Sequence, residues 1–87
     1  MDTVNNLRKS FTEHTGIGDI NVKFSQPWYY IEFSDPMNCE MMERACMFIK
    51  DKFSNSGSFA HLLPKFVAHE KNVAIIISKE MAERVYS

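Results

Sequence analysis

Two thiols and three imidazoles are the side chains of this chain best suited to bind a transition metal. They are Cys39, Cys46, His14, His61 and His69. A zinc site usually takes pairs of ligands at CxxC or HxxxH spacing, because both ligands then reach one ion from the same loop or helix face. None of the five residues has a partner at that spacing. We therefore expect no metal site.

The residue combinations typical of an enzyme are also missing. Nucleophilic catalysis requires a serine or cysteine next to a base, and the chain lacks a Gly-x-Ser-x-Gly sequence or a comparable cysteine motif. Cys39, near the start of a predicted helix, is the strongest candidate for a reactive thiol. Gly16-Ile17-Gly18 leads into a strand, whereas a phosphate-binding loop leads into a helix N-terminus. We predict no catalytic residue, no nucleotide site and no cofactor, and we expect that the chain is not an enzyme.

The most informative segment runs from Gln26 to Phe33 and is rich in aromatic residues. Side chains alternate between the two faces of a strand. One face carries Tyr29, Ile31 and Phe33, and the other carries Trp28, Tyr30 and Glu32. If the first face belongs to the core, an indole and a phenol lie on a face that a small sheet leaves open. Tyrosine and tryptophan favour interfaces, because they contribute a large area with little loss of rotamer entropy.

We predict that this second face binds a protein, either a second copy of the chain or a larger partner. Trp28 and Tyr30 are the predicted contact residues, with Phe24 of the preceding strand as a further one. Two alternatives remain open. The aromatic residues can line a second small core beneath the terminal helices, or they can stack on nucleic-acid bases with Lys23 and Lys65 beside them.

The charge balance argues against a nucleic-acid partner. Ten basic and eleven acidic side chains give a formal net charge of −1. Proteins that bind nucleic-acid backbones usually carry a basic excess or a basic stripe. The lysines and arginines of this chain are spread along the sequence, with acidic residues close to most of them.

Methionine is frequent, with six residues in the chain. Four of them fall in one predicted helix, namely Met37, Met41, Met42 and Met47. Flexible thioethers suit an adaptable docking surface, but they also fill irregular gaps in a core. Met41 and Met42 lie on the apolar stripe of the helix, which favours the core. Met47 lies on the polar flank, and we predict it as a surface contact.

The composition is that of one folded domain covering residues 1–87. Apolar residues make up 45% of the chain and charged residues 24%, which argues against disorder. A chain of this length buries only about 60 to 70% of the surface that its unfolded form exposes. Its core is therefore thin, and dimerisation would add to it.

Segments for export or membrane insertion are not recognised. The start of the chain lacks the basic and apolar regions of a signal peptide, and the longest apolar run is only Val73 to Ile77. Cys39 and Cys46 fall seven positions apart in one predicted helix, a rise of about 10.5 Å. A disulfide requires Cα atoms within about 7 Å. We therefore expect reduced thiols, a cytoplasmic location and no contact with a membrane.

Periodicity and capping residues predict three helices, at residues 3–15, 36–54 and 79–86. The capping residues are Asp2 or Thr3 and Gly16 for the first helix, Asp35 followed by Pro36 for the second, and Ser78 for the third. Residues 54–58 read as a loop and 59–63 as a short helical turn.

Alternating or β-branched patterns predict four strands. They fall at residues 20–25, 28–33, 65–69 and 73–77, although Phe66 to Glu70 also fits a helix. A tight turn is expected at 70–72. The run from Val73 to Ile77 fits a strand that is buried on both faces in the middle of the sheet.

The predicted fold is α+β, in the order α-β-β-α-β-β-α, with about four antiparallel strands in two hairpins. The helices are expected to pack mainly on one face. This element order resembles the helix-and-hairpin sandwiches of small dimeric chaperone-like proteins, such as type III secretion chaperones. Compact chains of this kind are also found among phage accessory proteins that inhibit host machinery. The resemblance implies a small interaction protein, and we predict a homodimer or a binder of one larger protein.

Overall fold

The computed structural model describes residues 2–53, 64–69 and 72–86. These residues form seven elements: α1 (Thr3–Thr15), β1 (Ile20–Ser25), β2 (Trp28–Phe33), α2 (Cys39–Phe53), β3 (Lys65–His69), β4 (Asn72–Ser78) and α3 (Lys79–Tyr86). The predicted α+β class and element order are confirmed. Residues 65–69 are a strand, so the helical alternative is wrong. The loop at 54–58, the helical turn at 59–63 and the first two residues of the turn at 70–72 lie outside the described residues.

The four strands form one antiparallel sheet in the order β1-β2-β4-β3. The two hairpins are joined through the β2–β4 ladder, which places β4 inside the sheet as predicted. The β1–β2 hairpin turns through Gln26 and Pro27, whose peptide bond is cis. In this turn, the Pro27 carbonyl accepts a hydrogen bond of 3.0 Å from the amide of Lys79, the first residue of α3.

Capping residues fix the ends of α1 and the start of α3 as predicted. A carboxylate oxygen of Asp2 accepts a hydrogen bond from the Asn5 amide at 3.3 Å. Gly16 ends α1 in the left-handed region, with a φ of 76°, which glycine adopts without the steric penalty of a Cβ. Ser78 Oγ accepts a hydrogen bond from the Met81 amide at 3.2 Å and so caps α3.

The start of α2 differs from the prediction. The helix begins at Cys39 instead of Pro36, and Asn38 is its cap, since Asn38 Oδ1 accepts a hydrogen bond from the Met41 amide at 2.9 Å. Asparagine caps helices about as well as aspartate. The sequence therefore offers two capping sites three residues apart, Asp35 and Asn38, and the later one is used.

The hydrophobic core lies between the helices and one face of the sheet. At its centre, the Phe11 ring of α1 packs edge-on against Phe48 of α2 at 5.0 Å and against Phe33 of β2 at 5.8 Å between centroids. Edge-to-face geometry is favourable for aromatic rings at these separations. Ile31 of β2 and Ile75 of β4 are fully buried beside them.

Candidate functional site

Strand register divides the side chains of the sheet into two faces. The side chains that point toward the helices include Tyr29, Ile31, Phe33, Ile75 and Ile77, all of which belong to the core. The opposite face is called the open face here. It consists of Asn21, Lys23 and Ser25 of β1, Trp28, Tyr30 and Glu32 of β2, Ala74, Ile76 and Ser78 of β4, and Lys65 and Val67 of β3.

The open face is less buried than the helix side. Two of its residues, Ala74 and Ser78, are buried, and its other residues do not belong to the cluster of buried side chains between the sheet and the helices. Trp28, Tyr30 and Ile76 are half-buried. The Trp28 indole does not belong to the cluster of buried side chains between the sheet and the helices.

A continuous row of side chains crosses the centre of the open face. Tyr30 lies opposite Lys23 on one side and opposite Ile76 on the other, and Ile76 lies opposite Lys65. Directly opposed residues of an antiparallel pair have Cβ atoms about 4.5 to 5.5 Å apart, so these side chains are neighbours. The row has a phenol and an aliphatic side chain at its centre and one lysine at each edge.

The adjacent row carries the acidic group of this face. Glu32 lies opposite Asn21 and Ala74. One Glu32 carboxylate oxygen is 3.1 Å from Lys23 Nζ, and the other accepts a hydrogen bond of 3.2 Å from Asn21 Nδ2. The charge of Lys23 is therefore balanced within the chain. Lys65, at the other edge, has no ion-pair partner among the described residues.

Trp28 lies at the end of the open face, next to the start of α3. A shallow cleft of about 450 Å³ is lined by Trp28 together with Gln26, Pro27, Ser78, Lys79, Glu80 and Glu83. The lining therefore includes two glutamates and one lysine. The indole combines an apolar ring with an N–H donor, which suits a position that is half covered and half wet.

Tyr29, the neighbour of Trp28 in β2, points to the helix side and contacts α3. Tyr29 is buried, and its hydroxyl donates a hydrogen bond of 3.0 Å to the Glu83 carboxylate on α3. Burial raises the pKa of Tyr29, and the Glu83 carboxylate raises it further. This bond ties α3 to the strand that carries Trp28 and Tyr30.

The residues predicted to form one partner surface lie in three places. Trp28 and Tyr30 share the open face, but Phe24 does not. The two-residue turn places Phe24 opposite Tyr29, so its ring is on the helix side, 4.6 Å from the Tyr29 ring and 41% exposed. Met47 is 54% exposed on α2, which packs on the other side of the sheet. Phe24 and Met47 therefore cannot contact a partner together with Trp28 on one flat face.

Two further residues of the methionine-rich helix and β4 depart from expectation. Met42, predicted for the core, is 43% exposed on α2. Ile76 was predicted to be buried as part of a strand covered on both faces. It is only half-buried and lies beside Tyr30.

Ile76 and Val67 also belong to the open face, although the sequence patterns did not predict this. In the run Val73 to Ile77 every side chain is apolar, so composition alone does not indicate which side chains point outward. Val67 sits in a strand that fitted a helix almost as well. Tyr30 pairs directly with Ile76, which lies two strands later in the chain. This pairing would have placed Ile76 on the open face, but it is known only once the strand register is known.

One histidine lies close to a carboxylate. His14 Nε2 of α1 is 2.8 Å from Asp51 Oδ2 of α2, and the imidazole packs edge-on against Phe48 at 5.6 Å. Neither residue lines the Trp28 cleft or the shallow cleft along the outer side of α1. The contact links two helices at the surface and brings no serine or cysteine nucleophile with it in the described part of the molecule.

Cys39 and Cys46 are both exposed and unpaired. No group of three or more histidine, cysteine, aspartate or glutamate side chains within the described ranges is arranged to hold a metal ion. None of the described helices is long and apolar enough to cross a membrane. Comparisons with protein-family models, with curated proteins and with solved structures found no match to this chain.

Proposed function

We propose that this chain is a non-enzymatic protein-interaction module that binds a protein surface through its open face. The central observation is the Tyr30–Ile76 pair flanked by lysines, with Trp28 at the end of the same strand. Interfaces typically combine an aromatic and aliphatic centre with a charged rim. The open face has this distribution on a rigid sheet.

The proposal includes a cytoplasmic location and the absence of catalysis. Two exposed free thiols are compatible with a reducing compartment. An accessory protein of the phage type, which inhibits a larger host protein by covering part of its surface, would need no more than such a face. Binding would then be the whole activity.

Nucleic-acid binding is the second candidate, and one observation favours it. Lys23 and Lys65 lie in the same row as Tyr30, on either side of it, as a stacking platform with basic edges would require. However, Lys23 already pairs with Glu32 at 3.1 Å, and the net charge is −1. We therefore rank it below a protein partner.

The experiment compares three versions of the chain as bait for proteins from a host lysate. The face variant carries Trp28→Thr and Tyr30→Thr, because threonine favours strands and removes both aromatic rings. The control variant carries Met42→Ala and Met47→Ala, which remove exposed side chains from the opposite side. We expect a protein that the wild type and the control retain and the face variant loses.

The captured protein is then purified and added to the wild type. Trp28 is the sole tryptophan of the chain, so its fluorescence emission should shift to shorter wavelength when a partner without tryptophan covers it. A partner that all three versions retain equally, or one that leaves the emission unchanged, would contradict the proposal. Binding of a single-stranded oligonucleotide that weakens steeply with salt would instead support the second candidate.

A further inference from the structure

The outer edge of β1 carries backbone groups that point away from the sheet. The Asp19 carbonyl accepts a hydrogen bond of 3.2 Å from the Ser34 amide, so this pair is one of the hydrogen-bonded pairs of the β1–β2 ladder. In an antiparallel ladder such pairs alternate with non-bonded ones. The backbone groups of Asn21, Lys23 and Ser25 therefore point toward β2. Those of Ile20, Val22 and Phe24 point outward.

This edge has the features of a strand that can accept another strand. Six consecutive residue pairs join β1 to β2 without a bulge, and β1 contains no proline. Bulges and prolines are common means of protecting an edge. Within the part of the chain that the structure describes, β1 pairs with β2 alone.

We infer that a second copy of this chain pairs with β1 in antiparallel orientation, about a two-fold axis at Val22. Val22 of each copy then faces Val22 of the other, and Ile20 faces Phe24 of the second copy. This register uses all the outward N–H and C=O groups of the three residues, which gives about six inter-chain hydrogen bonds. The two sheets become one sheet of eight strands.

The side chains on the helix side of the edge complement each other in this register. Phe24 is 41% exposed, and its ring centroid lies 4.6 Å from that of Tyr29. Ile20 is half-buried at the other end of the same strand. Across the two-fold axis, each Phe24 ring covers Ile20 of the second copy, and the apolar area of both leaves water.

The charges on the other side of the edge do not oppose this register. By strand alternation, Asp19 and Lys23 point toward the open face, and both are exposed. In the proposed register Lys23 lies directly opposite Asn21 of the second copy and diagonal both to its Asp19 and to its Lys23. A like-charged residue is not directly opposite any of these side chains. Each Lys23 therefore has one opposite and one like charge of the second copy at diagonal positions, and its own Glu32 carboxylate at 3.1 Å.

Lys23 is the one feature of β1 that resembles edge protection, since lysine on an edge strand discourages pairing. Its ammonium group, however, lies above the sheet and is 3.1 Å from the Glu32 carboxylate of its own chain. The charge is thus balanced before a second strand arrives. Lys23 does not block the backbone groups of Val22 and Phe24.

The edge dimer and the proposed function use different surfaces. Pairing along β1 does not use the side chains of Trp28, Tyr30 and Ile76 and places the two open faces side by side. Failure of one proposal can therefore be distinguished from failure of the other, because the variants that test them do not overlap.

The test measures self-association of the whole chain by sedimentation velocity from about 1 μM to about 500 μM, the range in which a short strand-to-strand contact is expected to dissociate. Phe24→Pro removes one outward N–H and the exposed ring, but no N–H that β2 uses. We expect this variant to fold and its dimer dissociation constant to rise about 100-fold or more. The double variant Trp28→Thr with Tyr30→Thr should remain as dimeric as the wild type.

Three results would overturn the inference: a monomeric wild type over the whole range, an unchanged dimer with Phe24→Pro, or a dimer that only the open-face variant dissociates. A monomer whose β1 edge captures a strand of another protein would overturn the choice of a second copy. Lys23→Pro is the matched control, because it removes an N–H that the β1–β2 ladder uses. Unlike Phe24→Pro, it should destabilise the fold of the monomer.

If Phe24→Pro does not fold, as judged by circular dichroism, a cross-link decides the question. In a Cys39→Ser, Cys46→Ser background, Val22→Cys places two thiols on the axis with Cα atoms about 5.5 Å apart, within disulfide range. We expect a covalent dimer under mild oxidation. Ser25→Cys is the control, because in this register it lies far from the same residue of the second copy. It should give little covalent dimer. Absence of the Val22→Cys dimer would overturn the inference.

Discussion

The helix side and the open face belong to the same four strands, yet their side chains are held in different ways. On the helix side, Phe33 and Ile75 are 1% and 0% exposed and pack against side chains of the helices. On the open face, Tyr30 and Ile76 are half-buried beside charged residues. Because the backbone is shared, the difference comes from what packs on each face. The helix side contains most of the buried side chains of the core, whereas Tyr30 and Ile76 of the open face remain partly exposed.

Removal of the same atoms from each face tests whether the two faces are packed differently. Ile75 and Ile76 are adjacent in β4 and point to opposite faces. Ile75→Ala opens a cavity in the core and should lower the free energy of unfolding by about 3 kcal/mol, whereas Ile76→Ala should cost about 1 kcal/mol or less. Chemical denaturation of both variants measures the difference. Equal losses would show that the open face is as tightly packed as the core.

A smaller effect is expected at the hydrogen bond that anchors α3. Tyr29→Phe removes the bond to Glu83 and should cost about 1 kcal/mol at neutral pH. Burial raises the pKa of Tyr29 in the folded chain, so above about pH 10 the unfolded chain ionises first and the stability due to this residue falls as pH rises. The difference between wild type and variant should therefore shrink in alkaline solution.

Tyr86→Phe is the control for that alkaline effect. Burial also raises the pKa of Tyr86, whose hydroxyl donates a hydrogen bond of 2.9 Å to Ser10 Oγ. The difference in free energy of unfolding between the wild type and Tyr86→Phe should therefore also shrink as the pH rises. A difference for Tyr29→Phe that stays constant or grows up to the pH of unfolding would contradict the assigned burial of this hydroxyl.

The smallest effect is expected from the ion pair on the open face. Lys23 is 46% exposed and Glu32 19%, and pairs with one exposed partner contribute little, so Glu32→Gln should change stability by about 0.5 kcal/mol or less. Added salt should reduce even that difference. Denaturation at low and high salt measures it. A loss of several kcal/mol would mean that the open face contributes to folding as the helix side does.

Local patterns sufficed to predict most of the fold. The helices at residues 3–15 and 79–86 have the predicted bounds, since a strong cap marks each start and Gly16 marks an end. The start of α2 could not be decided, because Asp35 and Asn38 are comparable caps. Which one is used depends on how the helix packs against the sheet.

The candidate site was predictable only where one strand determines it. Alternation within residues 28–33 was enough to place Trp28 and Tyr30 on one face. Phe24 was grouped with them wrongly, because its face follows from its pairing with Tyr29 across the turn. Ile76 was missed because its neighbour Tyr30 comes from a strand distant in sequence. Val67 was missed because its segment also fitted a helix.

The order of the strands has a consequence for when the fold can form. The β2–β4 ladder pairs Trp28 with Ser78, so it joins the first hairpin to the last part of the chain. Contacts between residues this far apart form late, because a long loop must close first. During synthesis, β1 and β2 leave the ribosome well before their neighbour β4. One edge of β2 is therefore unpaired until β4 has been translated, and the four-stranded sheet can form only after that.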